Sequence, residues 1–336
     1  TVQAATGPSG CTIDCQGSET EIHKAFEFTG AEDNSSVLSG FNIINSYQTS
    51  YMATGGAIFI ENSSPQIINC AIQSSYSSKY ASAIYAIGAT SLVIQDCIFQ
   101  DNTSSAYSGG GAVYVKESYV EIRGCEFSEN EISGGYFGGG GGVFGFNNSG
   151  MVIDNCFFSD NRALNSSNGA AVRTSNSNAT ITNCLFQNNM STVHAGAINV
   201  IGHAEISNCN LSNNTAGQRG GAIYFDEDAT GSVIGCNILS NRANLGGGIC
   251  CSFSTPLIGG SELDANTFDG NFACTGADIA CLFVPETPVN AQWNHFTGYH
   301  RSDFYVSPTA AFDLANCTYI REPIFQDVYV KVDGSD

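Results

Sequence analysis

The sequence predicts an all-β chain folded as a single parallel β-helix of about 11 coils, each coil one sequence repeat. Three observations predict it. Only 12% of the 336 residues are charged, and glycine (38) far outnumbers leucine (11), a composition suited to strands and turns rather than helices. A cysteine column recurs at Cys70, Cys97, Cys125, Cys156, Cys184, Cys209 and Cys236, with spacings of 27, 28, 31, 28, 25 and 27. A Gly-Gly-Ala column runs out of phase with it, as in Gly110-Gly111-Ala112-Val113 and Gly220-Gly221-Ala222-Ile223. A length of 336 residues would otherwise suggest two domains. The in-phase repeats override that prior, because units too small to bury their own apolar face must stack on their neighbours.

From the N-terminus, residues 1–11 read as a lead-in, and Thr12-Ile13-Asp14 starts the first coil. In the shaft, residues 12–300, each cysteine is followed two positions later by an apolar residue: Ile72, Phe99, Phe127, Phe158, Phe186, Leu211 and Ile238. Strand alternation puts both inside a narrow tube, as rows of small and large side chains. An asparagine column follows at Asn102, Asn130, Asn161, Asn189, Asn214, Asn241 and Asn271, where stacked amides can donate and accept from coil to coil. The Gly-Ala pair lets the opposite wall approach closely. Residues 301–336 read as a cap or a strand-exchange tail, with Val328-Tyr329-Val330-Lys331-Val332 an alternating strand that has no coil of its own.

Charge excludes whole classes of function. A net charge of −20 with 11 Lys+Arg excludes nucleic-acid binding and disfavours an anionic membrane surface. No apolar run reaches the ~18 residues of a membrane span, so no membrane insertion is expected. The chain starts at Thr1 rather than Met and reads as a processed protein on a secretory route, extracellular or at the cell surface. Its 14 cysteines and ten Asn-x-Ser/Thr sequons agree with that route. Covalent N-glycans are expected on Asn34, Asn62, Asn147, Asn165 and Asn178 in turns, on outward-facing Asn210, and on Asn316. Asn102 and Asn189 fall in the inward column and should stay unmodified, while Asn213 is open.

The paired motifs, such as Gly220-Gly221-Ala222-Ile223 with Phe186-Gln187-Asn188-Asn189, look like the repeats of polymorphic outer membrane proteins. More broadly, about residues 12–300 resemble the pectate-lyase-like β-helix superfamily, which implies a right-handed coil. For an enzyme of that superfamily the resemblance implies action on acidic polysaccharide, with a base, calcium-binding carboxylates and uronate-neutralising cations. Here the cations are scattered, Arg173 and Arg219 among them, and no Asp-Asp pair occurs. The relatives' membrane barrel is not expected, since Tyr319–Asp336 is too short for one.

The densest chemistry lies in His295-Phe296-Thr297-Gly298-Tyr299-His300-Arg301-Ser302-Asp303, where two histidines and an aspartate could bind metal or exchange protons. The plainer reading is a loop covering the last coil, with Trp293 plugging the tube. Asp226-Glu227-Asp228 reads as a solvated turn rather than a calcium site. The column cysteines read as buried thiols, because stacked coils give parallel Cβ vectors unsuited to a disulfide. The disulfide candidates are Cys11, Cys15, Cys250, Cys251, Cys274, Cys281 and Cys317. The expectation is a non-enzymatic structural protein without cofactor, partnered by itself head to tail as a filament subunit, or a surface adhesin. The alternative is a carbohydrate-active, lyase-like enzyme.

Overall fold

The computed structural model describes residues 1–49, 55–107, 109–135, 138–282, 289–292 and 294–296, and the strands Phe304–Val306, Phe312–Asp313 and Thr318–Tyr319. Each regular coil contributes four short strands, as in Ile58–Glu61, Gln66–Ile68, Ala71–Gln73 and Tyr76–Ser77. Each strand pairs in parallel with its counterpart in the next coil, so the described residues build four long sheets. In coil order, the first sheet has 11 strands, the second 10, the third 12 and the fourth 9. This is a parallel β-helix. The only helical segment among the described residues is the single 3-10 turn Glu262–Asp264. The lead-in adds to the shaft, since Val2–Gln3 pairs with Leu38 and Ser39. Parallel pairing also runs past residue 300, where Phe304–Val306 pairs with Ile279–Cys281 and Thr318–Tyr319 with His295–Phe296.

Two sharp corners in each coil explain the sequence columns. The residue before each ladder cysteine (Asn69, Asp96, Gly124, Asn155, Asn183, Asn208 and Gly235) has positive φ, from 49° to 61° for all but Gly235 at 63°. The same holds before the asparagine ladder, at Asp101, Glu129, Asp160, Asn188, Asn213, Ser240 and Gly270. A single left-handed residue turns the chain, and Asn, Asp and Gly tolerate that conformation best. The next side chain then points inward at the corner.

At the second corner the amides form a continuous buried ladder. Nδ2 of each of Asn102, Asn130, Asn161, Asn189, Asn214 and Asn241 donates to Oδ1 of the next at 2.9–3.1 Å. The other Nδ2 hydrogen goes to a carbonyl of the preceding coil, for example from Asn161 to Phe127 at 2.9 Å. The same Oδ1 also accepts a backbone N–H, as from Asn130 at 3.1 Å. Each interior amide thereby makes four hydrogen bonds, its full capacity. Asn271 ends the row on Asp278 at 2.9 Å.

The cysteine corner repeats the scheme with sulfur. Backbone N–H groups of Cys70, Cys97, Cys125, Cys156 and Cys209 donate to the thiol one coil on at 3.4–3.5 Å. Each thiol donates to a carbonyl two residues back, as Cys184 does to Thr182 at 3.0 Å. Asn266 takes over the row, accepting from the Cys236 backbone at 2.9 Å and bonding Asn294 onward. Between the corners, Phe99, Phe127, Phe158 and Phe186 stack at 4.7, 4.7 and 4.9 Å. The Gly-Gly-Ala column is the facing wall: a Cβ on Gly221 would collide with the carbonyl oxygen of Gly247 in the next coil.

Two expectations are corrected. Asn178 lies in the strand Ser177–Thr182, not in a turn, although its side chain is exposed as a glycan would need. The disulfide candidates Cys11, Cys15, Cys250, Cys251, Cys274 and Cys281 are all free thiols, and Cys317 lies outside the described residues. Cys11 and Cys15 flank the extended strand Thr12–Asp14, which holds their Cα atoms roughly 13 Å apart, too far to bridge. Cys250 and Cys251 point to opposite faces of one strand. Cys251 and Cys281 are in-register partners with parallel Cβ vectors. Burial pushes the Cys15 thiol up to about 11 and those of Cys250 and Cys281 well above their usual range.

Candidate functional site

Chemistry gathers outside the tube, in two places. The first is the outer face of the first sheet. The residue after each Gly-Gly-Ala-Ile tetrad points away from the tube, and its successive partners are Phe59, Tyr85, Tyr114, Phe144, Arg173, Asn199, Tyr224, Cys250 and Ala280. All are buried, and described residues of the segments joining the fourth sheet to the first pack against them, Ala81 on the Phe59–Phe144 group and Ala195 on Tyr224. Tyr80 from one such segment stacks on Tyr85 at 4.5 Å. The first four members form an aromatic cluster. Polar and charged groups then replace the aromatics in the covered row.

Arg173, 4% exposed, sends Nη1 to the Gly138 carbonyl at 2.6 Å and lays its guanidinium 5.2 Å from the Phe144 ring. Arg219 donates to the Tyr224 hydroxyl at 2.9 Å, and that hydroxyl donates to Asp226 Oδ1 at 2.8 Å. His194 lies against the Tyr224 ring at 4.8 Å. Burial, then the positive charges of Arg219 and Arg173, pull the His194 pKa down to about 4, so the imidazole is neutral at pH 7. Burial pushes the Tyr224 phenol up. His194 Nδ1 and the Oδ1 atoms of Asn168 and Asn199 are buried with no hydrogen-bond partner. The cluster therefore holds two cations, a neutral imidazole, a phenol and a carboxylate in one covered patch.

The second place is the outside of the fourth sheet. Asp101, Thr103, Glu129, Glu131, Asp160 and Arg162 line an open concavity of about 300 Å³. They flank the amide ladder on both sides, so each inward asparagine leaves two outward polar neighbours. Thr103, Glu131 and Arg162 are successive register partners. Tyr76 precedes them in the same row and stacks on Tyr47 at 4.7 Å.

Among the residues singled out from the sequence, the structure brings the ladder members together and leaves the others dispersed. Asn34, Asn62 and Asn165 are exposed, Asn147 and Asn210 half-buried, and Asn316 lies outside the described residues. Asn102 and Asn189 are fully buried, and Asn213 is exposed. His295 sits in a strand on the third sheet, while His300, Asp303 and Trp293 lie outside the described residues. No group of three or more His, Cys, Asp or Glu able to hold a metal ion occurs among the described residues, and no described helix could cross a membrane. Sequence reasoning missed the Arg173–His194–Arg219 cluster by treating its cations as scattered. The signal was the residue following each glycine tetrad, aromatic four times and then Arg173, Asn199 and Tyr224.

The geometry defines an all-β parallel β-helix, and the family match gives its hand as right-handed. A family described as the right handed beta helix region matches residues 56–217. No curated protein matches the chain. Among solved structures, tailspike protein 3 of bacteriophage CBA120 is similar at a TM-score of 0.37 and 10% identity, over 92% of this chain. The chain spans 57% of that tailspike's length.

Proposed function

We propose that this chain is a secreted, N-glycosylated structural protein whose rigid shaft serves as a head-to-tail filament subunit or a surface adhesin. One observation carries the reading: the unbroken buried amide ladder from Asn102 to Asn271, saturated in hydrogen bonds at each interior step. Such a row supports length and stiffness and contributes nothing to turnover. Among the described residues, Val2–Gln3, Thr12–Asp14 and Phe26–Phe28 stand at the ends of three sheets, a position that favours strand addition by a second copy. Electron microscopy of the purified glycoprotein should show rods that lengthen with concentration, and deletion of Val328–Asp336 should stop the growth. Single particles at every concentration would replace the filament with the adhesin.

A second reading, a carbohydrate-binding or lyase-like β-helix with affinity to the pectate-lyase-like superfamily, draws on the polar concavity of the fourth sheet. Its four carboxylates, with Tyr76 next to Thr103 in the same row, suit a neutral or amino sugar better than a polyuronate, which the net charge of −20 repels. A glycan array followed by assay for new reducing ends tests it. Cleavage lost in Glu129→Gln with the fold intact would establish the enzyme.

A further inference from the structure

The polar cluster on the first sheet has no part in the shaft's own hydrogen-bond ladders. It lies at the junction between that sheet and the segments covering it, residues 164–169, 192–195 and 217–220, just ahead of the core alanines Ala171, Ala197 and Ala222. Those segments are tied to one another coil to coil: Gly169 donates to the His194 carbonyl at 3.0 Å and Ala195 to the Arg219 carbonyl at 2.9 Å. Two side chains of this cover rest on the Tyr224 ring, His194 at 4.8 Å and the Arg219 guanidinium at 5.9 Å from its centroid.

We propose that these segments form an acid-opened cover over the first sheet, with His194 as the trigger. The groups facing the imidazole define the mechanism. Arg219 comes from the neighbouring covering segment, Arg173 and Tyr224 from the sheet, and Cys250 follows Tyr224 in the covered row. Asp226, the carboxylate of the cluster, already accepts from the Tyr224 hydroxyl. A proton on His194 therefore puts a third positive charge beside two guanidiniums, with the local carboxylate engaged elsewhere. Nδ1 has no hydrogen-bond partner in the closed arrangement, and the one bond that favours the imidazolium, with the Val193 backbone, is outweighed by burial and the two guanidiniums. Opening returns the imidazolium to water and bares Tyr224, Asn199 and Arg173.

The sign follows from linkage. The closed state holds the His194 pKa at about 4, against 6.5 when the group is free. The closed state therefore keeps its full stability above 6.5 and loses it as pH falls towards 4. Over that range the opening equilibrium rises by about 100-fold.

Hydrogen exchange read by mass spectrometry at pH 7 and pH 4, corrected for intrinsic rates, tests the cover directly. Amides of residues 164–169, 192–195 and 217–220 should lose protection by up to about 100-fold. Peptides over Ser177–Thr182 and Gly202–Ser207, in the second sheet, serve as the shaft control and should not change. His194→Phe keeps a ring against Tyr224 but takes no proton, so its cover should remain protected at pH 4. Equal opening in His194→Phe and the natural protein would overturn the proposal, as would loss of protection by the shaft together with the cover. NMR titration of the His194 ring in the natural protein adds a readout that needs no variant. A midpoint well below 6.5 supports the trigger, and one near 6.5 overturns it.

Discussion

At the scale of single residues, two kinds of inward side chain hold the shaft, and they fail differently. Phe158 is fully buried between Phe127 and Phe186, so Phe158→Ala should cost about 3–5 kcal/mol. Asn161 sits in the ladder, where its Oδ1 accepts from both the backbone and the side chain of Asn130. Asn161→Leu keeps the branched shape with some added bulk but orphans two buried donors, each worth about 1–3 kcal/mol, so its loss should match or exceed that of Phe158→Ala. Asn210, half-buried on the outer side of the third sheet, should cost under about 1 kcal/mol as Ala. Chemical denaturation of the three variants checks the order. An Asn210→Ala as damaging as Phe158→Ala would mean that inward and outward positions had been exchanged.

At the scale of the element, each ladder protects its members from chemistry. Iodoacetamide at pH 8 should label Cys274, the exposed thiol among the described residues, within minutes and leave the seven column cysteines unlabelled until the shaft unfolds. Mass spectrometry of tryptic peptides reads this directly. The sequons divide in the same way: in material from a secretory host, glycan should be found on Asn34, Asn62, Asn165 and Asn178 and be absent from buried Asn102 and Asn189. Modification of Asn189 would require the ladder to be open during synthesis. The sequence displayed these elements because a solenoid writes its geometry as fixed spacings: the Cys, Phe and Asn columns sit at constant offsets, and the residue before each corner is mostly Asn, Asp or Gly. The covered polar row was hidden for a physical reason. Arg173 and Arg219 are 46 residues apart (219 − 173) and both act on His194 only because the coils stack, while the segments around them vary in length and follow no column. The free thiols of Cys251 and Cys281 were likewise visible only once register showed their Cβ vectors to be parallel.

At the scale of the whole molecule, a stack in which each coil touches only its neighbours behaves as a one-dimensional array, its stability a sum of coil and interface terms. Register should then matter more than the identity of any one coil. Phe157 pairs with Leu185, so the segment from Phe157 to Cys184 is one full turn of 28 residues (184 − 156). Deleting it joins Cys156 to Leu185, aligns Asn130 with Asn189, and brings the ring of Phe127 onto that of Phe186. Both ladders and the aromatic stack close again, and the protein should unfold cooperatively within a few degrees of the parent. Deleting Phe157 to Ala170 instead removes half a turn of 14 residues (170 − 156). It sends the following strands to the wrong sheet and faces Gly-Ala positions with phenylalanines. That variant should lose its cooperative transition, because residues on the two sides of the cut can no longer share a core. Circular dichroism melting of the two deletions, read beside the full chain, decides the matter. If the full-turn deletion were as disruptive as the half-turn, the shaft would owe its stability to long-range cooperation between distant coils rather than to nearest-neighbour stacking.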